Sequence, residues 1–218
     1  MIKEFNKQNS GLTRRSMTEG YTIIETMIAV SLFIIIVMSG MGALMSANAI
    51  HKKSQGMRAI MDNLSFITED MSRNLRTGSK YHCLILGETM PPAISTGQLS
   101  VPKSCAGGGW AIAFEPPKGT NSIGDQWVYY ISNEGKIFKA TYGPYDDLAN
   151  YTQLTPEEVV IDPDASGFTV IGAESPLVGA DRRQPFVIIR LVGTITYRED
   201  IVTPFSIQTS VSQRAVDI

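Results

Sequence analysis

Only two histidines and two cysteines occur in 218 residues, and that scarcity removes most catalytic schemes at once. His51 follows a long apolar run and His82 stands beside Cys83, so neither has the setting of a positioned general base. Neighbours on a strand point to opposite faces, which separates the Cys83 thiol from the His82 ring. A four-ligand zinc set would have to recruit distant carboxylates. Gly107-Gly108-Gly109 lacks the Lys-Ser/Thr that completes a phosphate loop, so it reads as a flexible loop. Asp146-Asp147 and Asp162-Pro163-Asp164 lack a full set of oxygen ligands for calcium and read as solvated turns. No basic tract is present. Lys and Arg number 19 against 21 Asp and Glu, a net charge of −2, which argues against nucleic acid held through a phosphate-neutralising patch. No internal repeat is evident. The expectation is a chain that is not an enzyme and needs neither metal nor cofactor.

The longest absence is of charge. From Thr26 to Ile50 there is no Asp, Glu, Lys or Arg. An apolar run of about 18 residues or more reads as a transmembrane helix. Glu25 stands at its entrance, and a carboxylate there is costly enough to be a functional-site hypothesis by default. A secretory signal peptide has a much shorter apolar region, roughly 7–15 residues. A plain signal anchor accounts for the length but not for the residues that open the run.

Those residues are Gly20-Tyr21-Thr22-Ile23-Ile24-Glu25-Thr26-Met27-Ile28-Ala29-Val30. The block resembles the N-terminal processing motif of type IV pilins and type II secretion pseudopilins. The resemblance implies that a prepilin peptidase cuts after Gly20 and methylates the new N-terminus at Tyr21, with Glu25 as the fifth mature residue. Tyr21 stands where the family usually carries phenylalanine. Further implications are a lipid bilayer around the helix, an assembly platform in the membrane, and other pilin or pseudopilin subunits as partners. Basic residues do not set the orientation, with Lys3, Lys7, Arg14 and Arg15 before the run and Lys52, Lys53 and Arg58 after it. The resemblance supplies it instead: a cytoplasmic leader, a single pass through the cytoplasmic membrane and an exported C-terminal part, later carried into a cell-surface or periplasmic filament. Without residues 1–20 the chain keeps 15 basic and 19 acidic side chains, a net −4.

Three segments follow: a leader over 1–20, a transmembrane and stalk helix over 21–78, and a β-rich head over 79–218. Met57, Ile60, Met61, Leu64, Ile67, Met71 and Leu75 recur at three- and four-residue spacing, one apolar stripe that packs on the chain's own sheet. Gly78 is the stop signal. A helix from Tyr21 to Thr77 would extend about 85 Å. Gly40, Gly42 and Gly56 interrupt it, read either as small-residue packing positions or as a weak segment. For Glu25 the neighbouring motif favours pairing with the new α-amine of an adjacent subunit, which would set axial register; the plain alternative is a side chain resting among headgroups. Cys83 and Cys105, in the part the resemblance exports, suit one disulfide, with two buried thiols as the alternative.

Beyond Gly78 the pattern becomes short β-branched and aromatic runs at 110–114, 126–131, 136–141, 167–171, 185–197 and 205–212. Asn133-Glu134-Gly135 is a hairpin signal. The last two runs read as long antiparallel strands joined around Arg198-Glu199-Asp200. Segments 87–109 and 142–166 read as loops. One long helix followed by an antiparallel sheet is an α+β fold. The large β-rich part and the ending Phe205 to Arg214 look most like a minor pilin or a J-type pseudopilin. The alternative is a membrane-anchored binding protein that never polymerises.

Overall fold

The computed structural model describes residues 20–90, 93–119, 124–174, 184–196 and 202–214. The leader, apart from Gly20, and the connection around Arg198-Glu199-Asp200 lie outside them. The fold is α+β: one long helix, then ten antiparallel-paired strands among the described residues. Helix α1 spans Ile23–Thr77 without interruption through Gly40, Gly42 and Gly56. By its internal contacts the chain forms two compact units, one up to Ile50 and one from His51 onward.

In the second unit, α1 buries Ile60, Leu64, Ile67, Met71 and Leu75, the spacing expected of a core-facing stripe. Met61 departs from the predicted stripe and is 37% exposed, while Thr68 is buried instead. A helix face is defined by angle, and position 61 lies a full 100° from position 60. Thr68 tolerates burial because its hydroxyl donates to the Leu64 carbonyl at 2.8 Å. The helix ends where its last carbonyls find donors outside it. Gly78 N bonds Asn74 O at 3.0 Å, Tyr81 Oη donates to Leu75 O at 2.5 Å, and Arg214 N reaches Arg76 O at 2.9 Å. Gly78 is required by proximity as well, since a Cβ there would sit 2.4 Å from the Phe114 ring.

The strands are β1 Ser79–Leu84, β2 Cys105–Gly109, β3 Ala111–Glu115, β4 Trp127–Ile131, β5 Ile137–Ala140, β6 Thr152–Gln153, β7 Val159–Ile161, β8 Gly167–Ile171, β9 Phe186–Thr196 and β10 Val202–Ser212. They form two five-stranded sheets. One runs β1-β3-β4-β5-β6; the other runs β10-β9-β8-β2, with β7 also paired to β9. The β4–β5 hairpin turns at Asn133-Glu134-Gly135, where Gly135 has φ +74°. In β9 and β10, Val202 opposes Thr196 and Ser212 opposes Phe186.

Two segments read as loops contain strands. Gly107-Gly108-Gly109 belongs to β2, and β6 and β7 lie within 142–166. Glycine is present in β2 for close approach: a Cβ on Gly109 would fall 2.4 Å from both Cys83 Sγ and Leu84 O. The partner that makes this segment a strand is β8, about 60 residues on in the sequence, so no local pattern announces it.

The main core lies between the second half of α1 and the facing sides of both sheets, with Ile112, Phe114, Tyr129, Phe168, Val187 and Leu191 buried. Tyr129 stacks on Phe114 with centroids 5.9 Å apart. Its hydroxyl accepts from Asn74 Nδ2 at 2.8 Å, and Lys139 Nζ lies 3.4 Å from Asp70 and 4.4 Å from the Trp127 ring centroid. These contacts pin the helix to β4 and β5. A second cluster fills the opposite side of the first sheet, where small Ala111, Ala113 and Ala140 let Leu99 and Tyr145 approach. There Gln126 Nε2 donates to Glu115 Oε1 at 2.9 Å, and Tyr145 Oη donates to Gln126 O at 2.7 Å.

Candidate functional site

Gly20 and Tyr21 precede α1 and lie outside any helix or strand. Tyr21 is 81% exposed, and nothing lies within 4 Å of a Cβ built on Gly20. Thr22 caps the helix: its carbonyl accepts from Thr26 N at 3.2 Å and its hydroxyl from Glu25 N at 3.3 Å. Thr22-Ile23-Ile24-Glu25 thus has the sequence pattern of a capping box, with Glu25 in the first turn where the helix dipole favours a carboxylate. The cap explains why the helix begins at Ile23 rather than at Tyr21. That signal, Thr followed three residues later by Glu, was legible in the sequence. A cap of this kind contributes about 1 kcal/mol.

From Ile23 to Ile50 the helix turns apolar side chains outward in every direction, including Ile23, Met27, Phe33, Ile36, Met41 and Met45. It is long and apolar enough to cross a membrane, and its most apolar window is wholly unburied. Three of its hydroxyls are folded back onto the backbone. Thr26 Oγ1 donates to Ile23 O at 2.8 Å, Ser31 Oγ to Ile28 O at 2.8 Å, and Ser39 Oγ to Ile35 O at 2.9 Å. Each donor so occupied lowers the cost of placing the residue in an apolar surrounding. Gly40 and Gly42 have no side-chain neighbours within 4 Å.

Cys83 and Cys105 are bonded to each other, with Cα atoms 5.8 Å apart. The bond removes any thiol nucleophile beside His82, since no free cysteine exists among the described residues. It also ties β1 of one sheet to β2 of the other. Around it Lys103 exchanges backbone bonds with this strand, its N–H to Tyr81 O at 2.9 Å and its carbonyl accepting from Cys83 N at 3.0 Å. The Lys103 ammonium pairs with Glu88. His82 Nδ1 lies 2.6 Å from Val101 O.

Two groups make this seam acid-sensitive. Burial lowers the His82 pKa from the ordinary 6.5, with nearby Lys103 acting in the same direction. Glu88 is held below the ordinary 4.5, first by the Lys103 hydrogen bond and then by that from Ile85 N. Both folded values are depressed, so the unfolded chain binds more protons and stability falls as pH falls. The His82 contribution is complete above pH 6.5 and is lost as pH drops through its folded value. The Glu88 contribution is complete above 4.5 and is lost below it. Urea denaturation between pH 8 and pH 3 is expected to show a two-stage decline, and His82→Gln is expected to erase the upper stage alone. A flat profile above pH 5 in the parent protein would contradict this assignment.

The remaining sequence candidates occupy ordinary positions. His51 is exposed and lies 3.1 Å from Gln55. Asp147 Oδ1 caps a short 3₁₀ turn through Ala149 N at 2.9 Å, and Asp162 Oδ1 accepts from Asp164 N at 3.0 Å. Among the described residues no three His, Cys, Asp or Glu converge as metal ligands. A groove of about 700 Å³, not foreseen from the sequence, runs between α1 and β10 with Arg73, Arg76, Ile207 and Val211 on its walls. Comparison with known proteins returns no matching family model, no matching curated protein and no matching solved structure.

Proposed function

We propose that this chain is a structural, non-enzymatic minor subunit of a type IV pilus or of a type II secretion-like pseudopilus. In this reading it is inserted in the cytoplasmic membrane, cut after Gly20 and assembled through its first helix. One observation carries the reading: an exposed Gly20–Tyr21 peptide leads directly into a capped helix that is apolar on every side as far as Ile50. Such a helix must meet lipid or other apolar helices, because leaving that surface in water forfeits about 25 cal/mol per Å². Lipid serves before assembly and neighbouring subunits serve after it.

Glu25 then acquires its role. Cleavage creates an ammonium on Tyr21, and a carboxylate four residues on lies within a turn of it. In an apolar setting each charge offsets the other's desolvation, so a Glu25 carboxylate reaching the Tyr21 ammonium of a neighbour specifies axial register. Prepilin peptidase, the membrane assembly platform and other subunits are the partners this scheme requires.

Intact mass spectrometry of the protein from its native membrane tests the scheme. The expected chain begins at Tyr21, with or without one methyl group. In the same preparations a Glu25→Ala chain is expected to be cut normally yet to be missing from sheared filaments. A chain retaining residues 1–20 would refute processing and leave a single-pass anchored binding protein. A chain beginning near residue 50 would make the apolar segment a cleaved signal.

A further inference from the structure

Both faces of β4 carry a tryptophan, a tyrosine and a carboxylate, and among the described residues only the inner set meets a cation. Tyr129 and Tyr130 are neighbours on the strand, so their rings point to opposite faces of the first sheet. On the inner face Lys139 Nζ lies 4.4 Å from the Trp127 ring centroid, 5.5 Å from that of Tyr129 and 3.4 Å from Asp70 Oδ2. The negative ring faces attract the ammonium, and the carboxylate balances its charge.

On the outer face the aromatic group is Trp110, Tyr130 and Phe138. Tyr130 stacks on Phe138 with centroids 5.0 Å apart, and Trp110 meets Tyr130 in a T-shaped contact at 6.0 Å. All three rings are half-buried, and with Leu148, Asn133 and Glu134 they line a hollow of about 380 Å³. Its walls hold one carboxylate and no lysine, arginine or histidine. Glu134 has no ion-pair partner among the described residues. Lys136, the base closest to it in sequence, is engaged with Glu157 at 3.5 Å and with the Glu157 and Val159 carbonyls at 2.9 Å. Burial, and then the Glu134 charge, raise the Tyr130 pKa above the ordinary 10.0, so negative potential reaches this ring. The turn that carries Glu134 is fixed by its backbone. Ser132 N bonds Lys136 O at 2.8 Å, Gly135 N bonds Ser132 O at 3.0 Å, and Ile161 N bonds Gly135 O at 2.8 Å. A ligand here orders little beyond the Glu134 side chain, which keeps the cost of binding low.

We propose that this hollow binds the methylated ammonium head of a small choline-like ligand, with Trp110 and Tyr130 giving the aromatic contact and Glu134 the counter-charge. The size suits a small organic ligand rather than a bare ion. Walls that are mainly carbon select the methylated form. A primary ammonium would give up hydration that such walls cannot replace, whereas N-methyl groups spread the charge over apolar surface and need no acceptor. The inference concerns the C-terminal unit and holds or fails whether or not the chain is cut after Gly20.

Calorimetric titration of the full chain with choline, in micelles of a polyoxyethylene detergent, tests it. Saturable binding is expected with a Kd of about 1–10 mM, and the Trp110 indole N–H resonance is expected to move while that of Trp127 stays in place. Glu134→Gln, on an exposed turn, is expected to weaken binding about fivefold while leaving the urea midpoint unchanged. Trp110→Leu is expected to weaken it roughly tenfold. The neutral carbon analogue of choline, with a tert-butyl group in place of trimethylammonium, is expected to bind at least about fivefold more weakly than choline. The proposal is overturned by the absence of saturable heat below roughly 100 mM choline. Equal affinity for the neutral analogue would overturn it too, as would tighter binding of butylammonium than of choline, or a Glu134→Gln chain that binds choline as the parent does.

Discussion

Replacing Cys83 and Cys105 together by alanine is expected to lower the unfolding free energy of the C-terminal unit by about 3 kcal/mol. The estimate follows from the loop the bond closes, a separation of 22 residues, whose freedom in the unfolded chain the bond removes. Position adds to the effect. The bond joins strands of different sheets, and its sulfurs are packed in the core, with Cys83 fully buried and Cys105 6% exposed. Without it the β1–β2 seam keeps its Lys103 backbone bonds and the Glu88 pair, which are local and partly exposed. Trp110 and Trp127 report on this unit, so urea titration of the full chain in micelles, followed by tryptophan fluorescence, measures the loss directly. A change below about 1 kcal/mol would mean that the two sheets are held chiefly by packing on α1, since typical disulfide contributions are 2–4 kcal/mol.

Leu75→Ala is expected to cost roughly 2–5 kcal/mol, whereas Met61→Ala on the same helix should cost no more than about 0.5 kcal/mol. Leu75 has no exposed surface and sits in the last turn, beneath the Tyr81 hydroxyl that closes the helix. Its removal leaves a cavity in the core between α1 and the strands. Met61 is 37% exposed on the flank of the stripe, so truncation removes surface that water already reaches. Paired denaturation curves decide the matter. Equal losses at the two sites would show that the buried stripe is wider than Ile60-Leu64-Ile67-Met71-Leu75, and that Met61 belongs to it.

Much of the architecture could be read from local pattern. A 25-residue stretch without charge has few ways to exist other than as an apolar helix, and the three-and-four spacing after it marks the face that packs. Strand runs at 110–114, 126–131, 136–141, 167–171 and 185–197 declare themselves through β-branched and aromatic residues, and Gly135 marks the hairpin because few other residues accept φ +74°. The capping pattern Thr22 to Glu25 is equally local, although the helix was expected from Tyr21 and begins at Ile23.

What local pattern could not reach depends on residues distant in sequence. Met61 and Thr68 exchange places because the angle of the buried face is set by the sheets it meets. Gly107-Gly108-Gly109 becomes a strand because it pairs with β8, and Cys83 and Leu84 leave no room for a Cβ at Gly109. The groove beside Arg73 and Arg76, and the aromatic hollow beside Glu134, are surfaces assembled from separate segments. By itself the sequence determined where the backbone coils, where it extends and which surface avoids water, because period and side-chain volume act within a few residues. Only the tertiary structure decided how the ten strands of the described residues divide into two sheets and which charges confront one another, because pairing and packing energies belong to contacts between segments far apart in the chain.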